Sequence, residues 1–156
     1  MPTSKVSQDH KVAVDLARTR ASRDYFLRWV QLVSETWDGD ILTGIIFLTI
    51  VNENTRMVRK MDINPSAFSS GSDLPPDEMR LPVSVYVLSR VLSLSYETTR
   101  RHVAKLIDRD LCIRVGGRGG LVVPRAVLAG DASAAMVARN LDNLDEFLSA
   151  LDRIGR

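Results

Sequence analysis

The chain has 156 residues, of which 45% are hydrophobic and 26% charged, and its formal net charge is +2. This composition is close to that of average soluble domains, which excludes a disordered chain, and the single cysteine excludes a disulfide scaffold. The first twenty residues lack the apolar core of a signal peptide. The longest nearly apolar run, residues 41–51, has 11 residues, against the roughly 20 that span a bilayer. We therefore expect a cytoplasmic protein that does not contact a membrane.

The charges are unevenly distributed along the chain. Residues 80–125 hold 9 Lys or Arg and 3 Asp or Glu, whereas residues 1–79 hold 9 and 11, and residues 126–156 hold 3 and 5. A basic segment between two acidic flanks indicates an anionic partner that binds this segment, and not a generally basic protein.

The N-terminal part of the sequence predicts an arm and a helical hairpin. Residues 1–21 are polar and weakly patterned, so we expect a flexible arm. From Ser22, apolar side chains recur at spacings of three and four and predict an amphipathic helix over residues 22–37. They are Phe26, Trp29, Val30, Val33 and Trp37. Asp38 and Gly39 interrupt this pattern, and a second, enclosed helix is expected from residue 41 to about 59. The hairpin thus occupies residues 22–61.

The next segment predicts a linker and a second pair of helices. Residues 62–79 contain three of the six prolines and four serines, which is typical of a linker or loop. A helix is expected over about residues 83–92, with Pro82 at its start. Ser95 then supplies an N-cap for another helix, whose apolar stripe faces inward. The stripe consists of Thr99, Val103, Leu106 and Ile107.

The C-terminal part predicts a β-hairpin and a long helix. Two β-rich runs, residues 111–115 and 121–123, flank the turn sequence Gly-Gly-Arg-Gly-Gly and indicate a hairpin. Within residues 126–156, leucines and one valine recur at spacings of four and three, which predicts a heptad seam on a helix of about twenty residues. The seam residues are Val137, Leu141, Leu144, Leu148 and Leu151.

Two helices joined by a short turn, with a basic second helix followed at once by a β-hairpin, occupy residues 88–124. This order resembles the DNA-binding part of bacterial transcriptional regulators with a winged helix-turn-helix. The resemblance covers about a quarter of the chain. It implies a mainly α (α+β) fold with a winged helix-turn-helix over residues 80–125 and double-stranded DNA as the partner. Ser89 and Ser93 depart from that pattern, since alanine and glycine are common at their positions.

The outer face of the helix after Ser95 carries the expected DNA contacts. Arginine can pair with guanine and glutamate can accept from the cytosine amino group, so Glu97, Arg100 and Arg101 are candidate base readers in the major groove. The remaining polar side chains suit phosphate contacts. The wing arginine suits a minor groove. The complete set is Ser95, Tyr96, Glu97, Thr98, Arg100, Arg101, Lys105 and Arg118.

Other chemistry-bearing residues predict neither catalysis nor cofactor binding. His102 has no second His or Cys at ligand spacing, so we expect a surface or phosphate contact and not a metal ligand. Cys112 is expected to be a half-buried packing residue, with a redox-sensing thiol as the alternative. The glycine turn lacks the Lys-Ser/Thr of a phosphate loop. Hydrolase and metalloprotease motifs are absent from the sequence, so we expect no enzyme, no metal and no cofactor.

The heptad seam predicts a homodimer, because an apolar stripe outside a compact winged domain has to be buried against a partner. The alternative is that the stripe packs on its own domain. Two other functions remain open at this point. One is a winged domain used for protein contacts in a larger assembly, with its basic face against an acidic partner, and the other is a small-molecule-binding helical protein whose wing is vestigial. Trp29, Trp37 and Phe47 either line an effector pocket or belong to the core.

Overall fold

The computed structural model describes residues 3–56, 77–117 and 119–155 of the chain. These residues form a mainly helical α+β structure. The helices are α1 (Thr3–Thr36), α2 (Ile41–Asn54), a 3-10 helix (Asp77–Met79), α3 (Val85–Val91), α4 (Tyr96–Asp108), α5 (Arg125–Leu128) and α6 (Asp131–Ile154), and the strands are β1 (Ile113–Val115) and β2 (Gly120–Val122). None of the described helices is both long and apolar enough to cross a bilayer.

The N-terminal helix is longer than the sequence pattern predicts. It begins at Thr3, so the prediction of a flexible arm over residues 1–21 is wrong for residues 3–21. No glycine or proline interrupts residues 3–36, and each residue added to an existing helix forms a hydrogen bond without a new nucleation cost. The second helix ends earlier, at Asn54, while the rest of the expected hairpin and most of the expected linker, residues 57–76, lie outside the described residues.

Helices α1 and α6 pack side by side and antiparallel. The Tyr25 and Phe147 rings lie with their centroids 5.1 Å apart, and Arg28 Nε donates to Asn143 Oδ1 at 2.6 Å. Near the other end of the contact, Arg139 forms an ion pair with Glu35. Helix α6 ends at Ile154. In this register, about the first four turns of α1 extend past that end of α6.

Helix α2 lies at the centre of the core. Ile46 and Ile50 are fully buried, which confirms that this apolar helix is enclosed, and α2 contacts α1, α3, α4 and β2. Gly44 permits a close approach to α1, because a Cβ at this position would lie 2.6 Å from Trp37 Cδ1 and 2.7 Å from Val33 Cγ1.

The two strands form an antiparallel hairpin whose inner edge is held by the helical core. Arg114 pairs with Leu121 in the register of β1 and β2. On the other side of β2, Val83 and Leu121 form an isolated antiparallel bridge. The buried side chain of Asn54 donates to the carbonyl oxygens of Leu81 and Leu121 and accepts from the Val123 N–H. The hairpin is therefore attached to the C-terminal end of α2.

Candidate functional site

The turn between α3 and α4 fixes the direction of α4. Ser93 has a left-handed backbone, with φ of 54°, so the position where the resembling family often has glycine does require that conformation. The Leu94 N–H donates to the Ser89 carbonyl at 2.9 Å. Ser95 caps α4 by accepting from the Thr98 N–H at 3.0 Å. The predicted N-cap is thereby confirmed.

The inner face of α4 is buried as the periodicity predicts. Thr99, Val103 and Leu106 are fully buried. His102 is only 7% exposed, so the expectation that it lies on the helix surface or contacts phosphate is wrong. Sequence periodicity missed this residue because the side chain occupies the boundary between the two faces, where α2 covers it.

The outer face of α4 carries an arginine that is paired within the helix. Arg100 donates through Nε and a terminal nitrogen to the two carboxylate oxygens of Glu97, at 2.8 and 2.6 Å. This bidentate bond lowers the pKa of Glu97 and raises that of Arg100. Arg101 is exposed and forms no hydrogen bond or ion pair with another described residue. This face therefore carries Arg101, which has no partner among the described residues, and Arg100, whose carboxylate partner is itself exposed to solvent.

Lys105 is joined to the first helical hairpin. Its Nζ donates to Asp40 Oδ2 at 2.7 Å, and Asp40 caps α2 by accepting from the Thr43 N–H. Partial burial opposes ionisation of Asp40, but the hydrogen bonds from Lys105 and Thr43 outweigh it and lower its pKa to about 2. Lys105, which the sequence suggests as a phosphate contact, thus already has an anionic partner in the protein.

Three predicted DNA contacts remain: Tyr96 and Thr98, which lie at the start of α4, and Arg118. Tyr96 is exposed, whereas Thr98 is half-buried and accepts from the Ser95 hydroxyl at 2.8 Å. Arg118, the predicted minor-groove contact, lies outside the described residues. Arg90 in the last turn of α3 and Arg114 on β1, which were not among the predicted contacts, are exposed as well. In the sequence, only the excess of basic residues over positions 80–125 pointed to these two arginines.

The single cysteine is a core residue. Cys112 is 1% exposed, and burial raises the pKa of its thiol to about 11. A thiol with this pKa carries almost no thiolate at neutral pH, so the alternative of a redox sensor lacks the reactive form it needs.

The heptad seam on α6 is divided between the protein interior and solvent. Val137, Leu141 and Leu148 are 59%, 53% and 50% exposed, whereas Leu144 and Leu151 are half-buried. The exposed part borders an apolar groove of about 440 Å³ between α1, α2 and α6. The groove is lined by Trp29, Ile45, Leu48, Thr49, Asn52, Met136, Val137, Asn140 and Leu141.

The three aromatic residues suggested for an effector pocket do not share one cavity. Trp37 and Phe47 are buried and pack with centroids 5.2 Å apart, as core residues do, and both also line a small cavity next to Arg109. Trp29 lies in the separate groove beside α6. The alternative of a single pocket lined by all three residues is therefore wrong, whereas the other interpretation, that they belong to the core, is confirmed for Trp37 and Phe47.

Among the described residues, no group of three His, Cys, Asp or Glu side chains is arranged to hold a metal ion. No protein-family model, curated protein or solved structure gives a significant match to this chain.

Proposed function

We propose that the protein is a transcriptional regulator that binds duplex DNA with a winged helix-turn-helix over residues 80–125. Helix α4 enters the major groove, and the β1–β2 hairpin acts as the wing. One observation carries this proposal. On helix α4, Thr99, Val103 and Leu106 of the inner face are buried, Ile107 is half-buried, and Arg100 and Arg101 are adjacent on the exposed outer face. An α-helix with such a face fits the major groove.

The Glu97–Arg100 pair is compatible with base reading. Both side chains are more than half exposed, and exposed ion pairs contribute little because water competes for both partners. Guanine O6 and N7 can replace the Glu97 oxygens as bidentate acceptors for Arg100, which leaves Glu97 to accept from a cytosine amino group. The first turn of α4 adds unpaired backbone N–H groups that suit a phosphate.

The exposed stripe of α6 supports a homodimer, with a second copy of this chain as the occupant of the groove. Burial of Val137, Leu141 and Leu148 removes a contiguous apolar surface from water. Asn140 also lines this groove. A two-fold dimer requires two half-sites on DNA, about one helical turn or a multiple apart.

Selection of bound fragments from genomic DNA tests the proposed function. The wild-type protein should enrich a defined set of fragments, and the Arg100→Ala/Arg101→Ala variant should bind them about fivefold to hundredfold more weakly. The charge-matched control is Arg18→Ala/Arg20→Ala, which removes two exposed arginines from α1 and should bind like the wild type. Equal binding by both double variants would show that α4 does not contact DNA.

A second candidate function is a protein-interaction module in a larger assembly. It is favoured by the apolar side chains that α3 exposes, Tyr86, Val87 and Val91, since exposed apolar patches mark contact surfaces. The two functions differ in their response to salt. DNA binding releases counterions and weakens steeply with salt, so salt-sensitive retention on a DNA column separates it from an apolar protein contact.

A further inference from the structure

A cavity of about 260 Å³ lies next to Arg109, at the C-terminal end of α4. Its walls include Trp37, Phe47, Arg109, Leu111, Val127 and Met136. They come from α1, α2, the end of α4, the segment leading into β1, α5 and α6. We propose that this cavity binds a small carboxylate with an apolar body, and that binding lowers the affinity for DNA.

The chemistry of the walls selects the ligand. Aromatic and aliphatic side chains dominate, and the two hydroxyl groups are used internally, because Thr36 donates to the Leu32 carbonyl and Ser133 to the Val127 carbonyl. Arg109 is the only charged residue among those lining the cavity. It is exposed and forms no ion pair with another described residue. An arginine that lines an apolar cavity and is exposed suits a carboxylate, which a guanidinium group binds through two parallel hydrogen bonds.

The volume limits the size of the apolar body. An apolar cavity of about 150 Å³ accommodates a benzene molecule, and pockets for drug-sized ligands begin at roughly 300 Å³. A cavity of 260 Å³ therefore admits a single ring or a short branched chain with its carboxylate directed to the rim.

The position of Arg109 explains the expected effect on DNA binding, and this part of the inference rests on the proposed function. Arg109 is the C-cap of α4, and the turn that follows is held by the bond from the Leu111 N–H to the Leu106 carbonyl. A bound carboxylate neutralises a cation at the end of the DNA-contacting helix. It also ties that end to α1 and α2 through Trp37 and Phe47. The neutralisation reduces the attraction of the helix for phosphate, and the added contacts restrain its end.

Ligand binding is measured first, without DNA. The chain has two tryptophans, so Trp29→Phe leaves Trp37 as the only indole, and its fluorescence reports on the cavity. Benzoate, phenylacetate and isovalerate are titrated, with benzyl alcohol as the uncharged analogue of benzoate. At least one carboxylate should give a saturable change that the alcohol does not give. Calorimetry on the unsubstituted protein repeats the measurement without any variant.

Two variants separate the charge from the volume of the site. Arg109→Gln keeps the cavity and should weaken carboxylate binding at least about tenfold, the cost of a lost charge-assisted bond. Ala132→Phe, at an exposed lining position, should fill the mouth and abolish binding while the charge remains. Failure of all three carboxylates to saturate, or equal binding by Arg109→Gln, would overturn the proposed site.

The coupling is measured next, on a DNA fragment that the wild-type protein selects. A saturating carboxylate should raise the Kd for that fragment at least about fivefold, the lower end for coupled sites, and should have no effect on Arg109→Gln. If the carboxylate binds saturably but the Kd for the DNA fragment is unchanged, the proposed coupling is wrong and the carboxylate site stands. If the carboxylate binds saturably but the protein selects no DNA, the proposed function is wrong and the carboxylate site stands.

Discussion

Thr43 Oγ1 lies 2.6 Å from His102 Nδ1 and joins the first turn of α2 to the middle of α4. The Thr43 hydroxyl donates its hydrogen to Asp40 Oδ2, so His102 Nδ1 carries a hydrogen and donates to Thr43. The chain of hydrogen bonds runs from the histidine through the hydroxyl to the carboxylate. It holds α4 on the helical hairpin by buried polar contacts, which are costly to leave unmade.

The buried histidine makes stability depend on pH. Burial lowers the pKa of His102, Asp40 opposes the shift, and Lys105 and Arg101 add to it. The unfolded chain then binds a proton more readily than the folded protein, so stability is full above the ordinary pKa of about 6.5 and falls as the pH drops below it. The free energy of unfolding in urea, measured at pH 7.5, 6.5 and 5.5, should decrease in this order.

The second histidine of the chain supplies the control for this pH dependence. His102→Gln should flatten the decrease between pH 7.5 and 5.5, at the expense of lower stability at pH 7.5. His10→Gln, at an exposed position on α1, should keep the wild-type decrease. A wild-type slope in His102→Gln would assign the pH dependence to other groups.

Lys105 and Arg101 should differ in their contribution to DNA binding. Arg101 has no anionic partner within the described residues, so Arg101→Met should reduce the slope of log affinity against log salt by about one unit. Lys105 is already paired with Asp40 at 2.7 Å, so Lys105→Met should leave the slope close to that of the wild type. Fluorescence anisotropy with one labelled fragment at five salt concentrations gives both slopes. An equal decrease in the two variants would mean that Lys105 leaves Asp40 for phosphate.

The left-handed serine in the turn is a site for stabilisation. A non-glycine residue in this conformation costs roughly 1–2 kcal/mol, and glycine loses about 0.5–1 kcal/mol more entropy on folding. Ser93→Gly should therefore raise the free energy of unfolding by about 0.5 to 1 kcal/mol. Ser93→Ala keeps the strain and should give no gain. Urea denaturation of both variants at pH 7.5 measures the difference, and a gain from alanine would contradict the backbone explanation.

The exposed leucine on α6 tests the homodimer. Leu141 is 53% exposed in the single chain, so Leu141→Gln should disturb the monomer little. Full burial of a leucine side chain is worth roughly 1.5 to 3 kcal/mol, and the interface covers only the exposed half, so the variant should lose about 1 kcal/mol per copy. Light scattering at micromolar concentration should give a dimer for the wild type and a lower mass for the variant. Val91→Gln, at a similarly exposed position on α3, should remain dimeric. A monomeric wild type would contradict the dimer and the paired half-sites.

The glycine in α2 should resist replacement by alanine. A Cβ at Gly44 overlaps Trp37 and Val33, and overpacking of a core costs typically about 1–3 kcal/mol, which outweighs the gain of about 1 kcal/mol in helix propensity. We expect Gly44→Ala to lower the free energy of unfolding by about 1 kcal/mol. Ser22→Ala, on the exposed face of α1, should instead be neutral or slightly stabilising. Stabilisation by Gly44→Ala would contradict the close packing.

The sequence predicts the local features of this fold well, because they depend on neighbouring residues. The cap at Ser95, the enclosed second helix and the inner stripe of α4 all follow from spacing and residue type. Contacts between distant elements could not be read in the same way. The Asp40–Lys105 ion pair joins residues 65 positions apart, and the burial of His102 depends on α2. The cavity at Arg109 is formed by six segments of the chain and has no local signature.

The hydrogen bonds of Asn54 also bear on the order in which the chain assembles. Its side chain joins backbone groups 27, 67 and 69 positions away, so it closes the long loops between α2 and the β1–β2 hairpin, whose closure entropy must be met before the bonds are gained. Such contacts form late, after local helices, and stabilise the native state more than the folding transition state. The Asn54 amide therefore acts mainly on the rate of unfolding, and sets how long the hairpin remains attached to the core once it is there.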